Sequence, residues 1–276
     1  MKIKAYVRIL IPAAFLVMAA APVYAQSKDR ILEQAVFKCV YLESVMVDTV
    51  SRRAVTDTMY LVVGRRSSSF YSQDRYLIDS IQGLPDGMAR LRELQFQYAR
   101  QGRISELTSN TSEYIYQNYP DGAITTRAML GNLNVEIIEE RESPFWELSD
   151  STRKILGYTC HKAEAAFRGR TWTAWYTTEI PVSSGPWKLY GLPGLILDTY
   201  DSRMDYRYTV IGISAQDVGD VTLYSKPGDG TFRKIERKQY LRSLANNKAR
   251  TQESAAKIGF GSGGGFDYRE TDYHKR

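Results

Sequence analysis

Histidine and cysteine are scarce in this chain, two of each in 276 residues. The histidines are His161 and His274 and the cysteines Cys39 and Cys160. Structural zinc takes three or four Cys or His ligands, so two scattered pairs make no zinc site, and no metal or cofactor is expected. A Ser-His-Asp hydrolase would have to use one of the two histidines. His161 follows Cys160 within a strand pattern, which sends the two side chains to opposite faces and excludes a Cys-His pair there. No Gly-x-Ser-x-Gly string is present. Beyond the N-terminus no apolar run approaches the ~20 residues of a membrane-spanning helix, and no internal repeat is visible.

What the chain does have points to β structure. Aromatics reach 12%, and 20 of them are tyrosine, a residue that favours strands over helical bundles. Hydrophobic residues at 43% and charged residues at 25% are ordinary globular values, which excludes a disordered chain, a coiled coil or a collagen-like repeat.

Residues 1–25 have the form of an export signal. Lys2, Lys4 and Arg8 precede an uncharged run over 9–21, and Val23-Tyr24-Ala25 is a small-x-small cleavage site. The expected mature chain is soluble in the periplasm or outside the cell, with no transmembrane span after cleavage near Ala25. Removing the three signal cations from 37 Lys+Arg leaves 34 against 31 acids, a net +3, which argues against a nucleic-acid partner. In an oxidising compartment Cys39 and Cys160 can form one bridge, closing a loop of about 120 residues and contributing ~4–5 kcal/mol at most. The alternative is a pair of separately buried thiols.

Along the chain, 35–50 reads as a long strand with Ala35, Phe37, Cys39 and Tyr41 on one face. Strands over 58–63 and 69–71 follow. Ser72 can cap a helix through Ile81 that stops at Gly83, and Asp86 can cap a second with Met88, Leu91, Leu94 and Tyr98 in one stripe. Further strands are expected over 114–116, 123–130, 134–140, 158–167, 171–177, 195–200 and 206–214. Strands at this spacing without intervening helices argue an antiparallel sheet. A helix over 233–250 is basic on one side and apolar at Tyr240, Leu241 and Leu244; it either meets an anionic partner or packs on the sheet. The domain plan is a signal at 1–25, one β-rich domain at 26–250, and a Gly-rich, charged and disordered tail at 251–276.

The most informative stretch is 157–201. It contains Gly191-Leu192-Pro193-Gly194-Leu195-Ile196, with Gly157, Tyr158, Cys160, Lys162 and Ala163 before it, then Trp172 through Pro181, and Gly185, Pro186 and Trp187. These elements resemble the GLPGLI family of exported bacterial proteins. The resemblance implies an exported β-rich fold and no defined activity. Read physically, Leu192-Pro193-Gly194-Leu195 fits a type II turn in which Gly194 takes positive φ. On that reading Gly191, Pro193 and Gly194 are structural. A functional reading makes Trp175, Trp187, Tyr190 and Leu192 an exposed apolar lip for a ligand or partner. Glu164, Glu179 and Asp198 lie near the motif and could pair as glycosidase carboxylates, but with 31 acids in the chain solvated surface carboxylates account for them better.

The fold expected is α+β, mainly an antiparallel, strongly curved, half-barrel-like sheet with two inserted helices and a C-terminal helix. The function expected is that of a non-enzymatic envelope binding or accessory protein holding an apolar ligand or an outer-membrane protein partner. The alternative is an envelope hydrolase or peptidase-like enzyme with no identified catalytic residue. Mass spectrometry of the exported chain should find Gln26 as its first residue; an intact Met1 in the membrane fraction would refute the signal assignment.

Overall fold

The computed structural model describes residues 29–103, 107, 109, 111–225, 231–257 and 269–272, with side chains of the last helix followed to residue 247. The export signal and His274 lie outside the described residues.

The chain begins with β1 (Arg30–Gln34), β2 (Phe37–Asp48), β3 (Arg53–Val63) and β4 (Ser68–Ser72). Two helices follow, α1 (Gln73–Gln82) and α2 (Gly87–Arg100). Then come β5 (Tyr114–Gln117), β6 (Ala123–Leu130), β7 (Leu133–Glu140), β8 (Glu147–Ile155), β9 (Tyr158–Phe167), β10 (Arg170–Thr177), β11 (Leu195–Asp201) and β12 (Tyr206–Ser214). The short β13 (Asp220–Leu223) and β14 (Arg233–Lys234) precede α3 (Arg237–Lys257). Twelve strands form one sheet in the order β14-β7-β6-β5-β4-β3-β2-β12-β11-β10-β9-β8, with two free ends and hence no closed barrel. All its pairings are antiparallel except β14 with β7. Among the described residues the fold is mainly β with three helices. No helix among the described residues is long and apolar enough to cross a membrane.

Local signals explain most of these elements. Ser72 caps α1, its hydroxyl accepting from the Arg75 amide at 3.2 Å. Asp86 precedes α2 without a side-chain cap and instead pairs with Arg90 at 2.8 Å. In β2 the alternation buries Phe37, Cys39, Tyr41 and Val45 on one face. They meet Met59 and Leu61 of β3 and Trp172, Ala174 and Tyr176 of β10 in the main core. On the opposite side, the separate β1-β13 ribbon covers β3 to β5. There Tyr114 stacks on Tyr224 with ring centroids 4.1 Å apart, a parallel contact of the kind large aromatics favour.

Four strands escape the sequence pattern. β8 is the clearest case: Glu147–Ile155 is almost wholly exposed, so it carries no apolar alternation, as befits a charged edge strand. The expected tail is also corrected in part. Residues 251–257 continue α3, which packs Tyr240 and Leu241 on Ala128, Val135 and Ile137 of β6 and β7. Residues 269–272 pack against the turn between β9 and β10, with Thr271 N donating to the Arg168 carbonyl at 3.0 Å.

The 178–194 connection between β10 and β11 carries the Gly-Leu-Pro-Gly string, and it turns inward. Ile180, Leu189 and Leu192 are buried with the main core, and Leu195 N returns to the Ile180 carbonyl at 3.0 Å. The expected type II turn is corrected: Gly191, not Gly194, has positive φ, at 97°. Gly194 is required for a different reason. A Cβ there would run into the Thr177 carbonyl oxygen at the end of β10, backbone that cannot yield without breaking the β10-β11 pairing. Gly194→Ala should therefore lower stability by about 1–3 kcal/mol, read as the shift in a urea midpoint. A midpoint equal to the wild type would show that the close approach is not needed.

Candidate functional site

A cavity of about 210 Å³ opens on the side of the main core that α3 covers. Its wall includes Glu113, Trp187, Tyr206, Tyr240, Arg269 and Glu270. These come from the segment before β5, the β10-β11 connection, β12, α3 and the C-terminal segment. Behind Arg269 lies Glu43 of β2, fully buried.

Glu43 is on the inward face of β2 because it continues the alternation Phe37, Cys39, Tyr41. The Arg269 guanidinium meets its carboxylate at 3.0 Å and approaches Glu113 at 3.6 Å. The Tyr240 hydroxyl donates to Glu113 at 3.0 Å. Around the guanidinium carbon stand the rings of Tyr206 at 5.3 Å, Tyr208 at 5.7 Å and Trp187 at 5.8 Å, within cation-π range. Glu43 Oε2 and the Tyr208 hydroxyl are buried without a hydrogen bond of good geometry among the described residues, although the two lie close enough to influence each other's ionisation.

Burial is the main influence on Glu43 and raises its pKa. Arg269 and Tyr208 oppose that rise, while Asp57 and Glu113 add to it. Glu43 therefore keeps its proton to higher pH than an ordinary carboxylate. Burial works against the charge of Arg269, but Tyr208, Glu43 and Glu113 outweigh it and push its pKa up. Tyr208 and Tyr240 are pushed far up, chiefly by burial.

A second charged cluster adjoins the first. Lys188 pairs with Glu270 at 2.7 Å and with Glu139 of β7. Arg237 at the start of α3 pairs with Glu270 and Asp272, and Arg168 meets Glu139 at 3.3 Å. Trp187 and Lys188 are consecutive and both buried. Trp187 has φ of 57°, a left-handed conformation that breaks the alternation and suits a site over-determined by its surroundings.

The structure redistributes the residues singled out in the sequence. Trp187, Tyr190 and Leu192 are 1%, 6% and 2% exposed, so the expected lip is corrected to an interior plug. Trp175 stays half-buried on the other face, under the Arg153 guanidinium at 4.2 Å. Gly191 and Pro193 are exposed at the turn, and Gly191 N donates to the Ser183 hydroxyl at 2.9 Å. Cys39 and Cys160 are free buried thiols; the expected bridge is corrected, since three strands lie between β2 and β9 in the sheet. Burial raises the pKa of both, that of Cys160 to about 12.

Glu164, Glu179 and Asp198 do not come together as a catalytic set. Glu164 pairs with Lys162 at 2.8 Å, and exposed Glu179 accepts from the Thr159 amide at 2.8 Å. Asp198 is buried between Arg153, Arg207 and Thr209. His161 sits half-buried with its ring 5.8 Å from that of Tyr176. Glu43 was the residue that sequence reasoning missed, and it had a signal: a carboxylate at the next inward position of an apolar alternation.

The family model described as "N-glycanase peptide, N-terminal domain" matches residues 108–228. No curated protein matches the chain. Among solved structures, "Structure of PNGF-II in C2 space group" aligns at 14% identity and a TM-score of 0.49, covering 77% of this chain and 33% of that one. "Structure of PNGF-II in P21 space group" aligns at 13% and 0.49, covering 76% and 33%. The chain thus spans about a third of the length of those structures. The matched segment contains the whole of 157–201, so the expected GLPGLI resemblance is overturned there by a likeness to the N-glycanase N-terminal domain model. The expectation of a non-enzymatic binding or accessory protein, and the leaning against an enzyme, give way with it.

The Glu43 environment has a pH signature. A carboxylate whose pKa is raised by folding contributes most at low pH, where both states hold the proton. That contribution is lost as pH rises from the unfolded value, about 4.3, through the folded one. Glu270 is shifted the opposite way, so its contribution is lost only below that window and does not interfere within it. Wild-type stability should fall relative to Glu43→Gln as pH rises above about 4.3. Parallel stability curves for the two proteins from acid to neutral pH would overturn the assignment.

Proposed function

We propose that this chain is an exported, glycosidase-like enzyme module that acts on N-linked glycans, with the Glu43 and Glu113 cavity as its reactive centre. The family match over 108–228 carries this reading. The hydrolase alternative raised by the sequence is the one it favours.

The cavity chemistry supports it. Hydrolysis at a glycan linkage needs a protonated group beside the leaving atom and a carboxylate to activate water or attack. Burial raises the pKa of Glu43 against the pull of Arg269, a direction that suits the acid. Glu113, more exposed and oriented by Tyr240, suits the second role.

A rolled, half-barrel sheet belongs to the same proposal. β7 and β8 stand ten strand positions apart, about 48 Å in a flat sheet. Residues 141–146 join them, and such a link reaches at most ~25 Å. Curvature would bring the two ends together. Contact between Arg141, next to β7, and the Tyr190 ring at 3.8 Å supports this. Export to the periplasm or beyond, proposed from residues 1–25, would place the protein where extracellular glycoproteins are met.

The test is incubation of the chain with N-glycopeptides and mass analysis of the products. Glycan release is expected, with Asn converted to Asp if the amide is cut and one sugar left behind if a glycosidic bond is cut. Glu43→Gln should slow release by about 10²-fold or more. No release from any glycopeptide class would refute the proposal.

A further inference from the structure

We propose that the fold contains a peptide-recognition groove for an arginine followed by acidic residues at the first and third positions after it, a groove that the chain fills with its own residues 269–272. This goes beyond the glycan reading and does not depend on it.

The bound segment is held as a ligand would be, at every residue. Arg269 enters a cage of two carboxylates, Glu43 at 3.0 Å and Glu113 at 3.6 Å, with the rings of Trp187, Tyr206 and Tyr208 around it. A guanidinium fits such a cage better than an ammonium does, because it is planar, stacks on rings and spreads its donors over two acceptors. Glu270 is buried between Lys188 at 2.7 Å and Arg237. Asp272 takes the other side of Arg237.

Between these side chains the backbone is read as well. Thr271 N donates to the Arg168 carbonyl and Thr271 Oγ1 to the Gly169 carbonyl, each at 3.0 Å, and Arg170 Nε donates to the Arg269 carbonyl at 3.2 Å. Main-chain hydrogen bonds supply affinity that any peptide can use, and the charged side chains supply selection. The groove thus alternates acidic, basic and again basic recognition, which fixes both the ligand pattern and its direction.

The groove belongs to the body of the fold, since its walls come from β2, β12, the β9-β10 turn, the β10-β11 connection and the start of α3. Only the four residues that fill it come from the C-terminal segment. With Arg269 in place the cavity beside it is about 210 Å³, below the ~300 Å³ of a small ligand pocket. Withdrawal of the segment enlarges it and exposes Glu43 and Glu113 together.

The test uses the full chain with Arg269→Ala and a fluorescent peptide carrying the sequence of residues 266–276. Anisotropy should show saturable binding to the variant. The same peptide with alanine in place of Arg269, its Arg276 kept, should bind about 30-fold more weakly, the cost of leaving buried carboxylates unpaired. Glu43→Gln added to Arg269→Ala should weaken binding of the arginine peptide in the same way. If Arg269→Ala does not fold, Arg269→Lys, which keeps the charge but not the planar fork, takes its place. A folded variant with no saturable binding overturns the proposal, as does binding indifferent to the peptide's Arg269. Methylguanidinium competing as well as the whole peptide would also overturn it, since the groove would then read the cation alone.

Discussion

Burial of carboxylates inside a wide sheet is the constraint around which this structure is arranged. Glu43, Asp198, Asp201 and Glu270 are each nearly inaccessible, and an isolated buried carboxylate costs several kcal/mol. Each is answered by a cation from elsewhere in the chain. Arg269 crosses from the C-terminal segment to Glu43, Arg153 comes from β8 to Asp198, and Arg170 serves both Asp201 and Asp205. Lys188 and Arg237 divide Glu139 and Glu270 between them. Such pairs contribute little to net stability against apolar replacements, but removing one partner strands the other. They therefore specify which segments must dock, and in what register, more than how tightly the core holds.

This explains why the connection between β10 and β11 folds inward. An apolar plug alone would need only Ile180, Leu189 and Leu192. Lys188 adds a charge that Glu139 and Glu270 must meet, and Trp187 is buried beside it with a left-handed backbone. Gln117 of β5 then donates to the Trp187 carbonyl at 3.1 Å, and Trp146 Nε1 to the Tyr190 carbonyl at 2.7 Å. The segment that looks most like a surface motif in sequence is fixed from three sides.

Much of the scaffold was legible in the sequence. β6, β9 and β12 have the bounds that alternation and turn residues gave, and the Ser72 cap opens α1 as its pattern required. What was not legible has identifiable causes. β8 lacks an apolar face because it is an edge, so periodicity had nothing to detect. Trp187, Tyr190 and Leu192 were read as a lip because Pro and Gly around them signal a surface turn. The decisive information, that the connection bends over the core, lies in contacts with Gln117 and Trp146, far away in sequence. Gly194 was assigned a positive φ from the Leu-Pro-Gly-Leu pattern, whereas Thr177 of β10 dictates its lack of a side chain. Glu43 was visible as a charge in an inward register, yet its partner Arg269 lay in a stretch whose composition reads as disorder.

The two proposals meet at Glu43. Arg269 is the first of the two groups that oppose the rise of its pKa, Tyr208 being the other, while burial, Asp57 and Glu113 promote it. With the C-terminal segment seated, the carboxylate is partly held in its charged form by a fixed cation. If a ligand without a matching cation displaced the segment, the cation's share of that opposition would vanish while the low-dielectric surroundings and Tyr208 remained, and the proton would be held to still higher pH. A general acid is most useful when it enters the reaction protonated. The same exchange would give Glu113 room to face a substrate instead of a guanidinium. Occupancy of the groove and readiness of the acid would thus be two expressions of one electrostatic coupling between residues 43 and 269, transmitted across 3.0 Å.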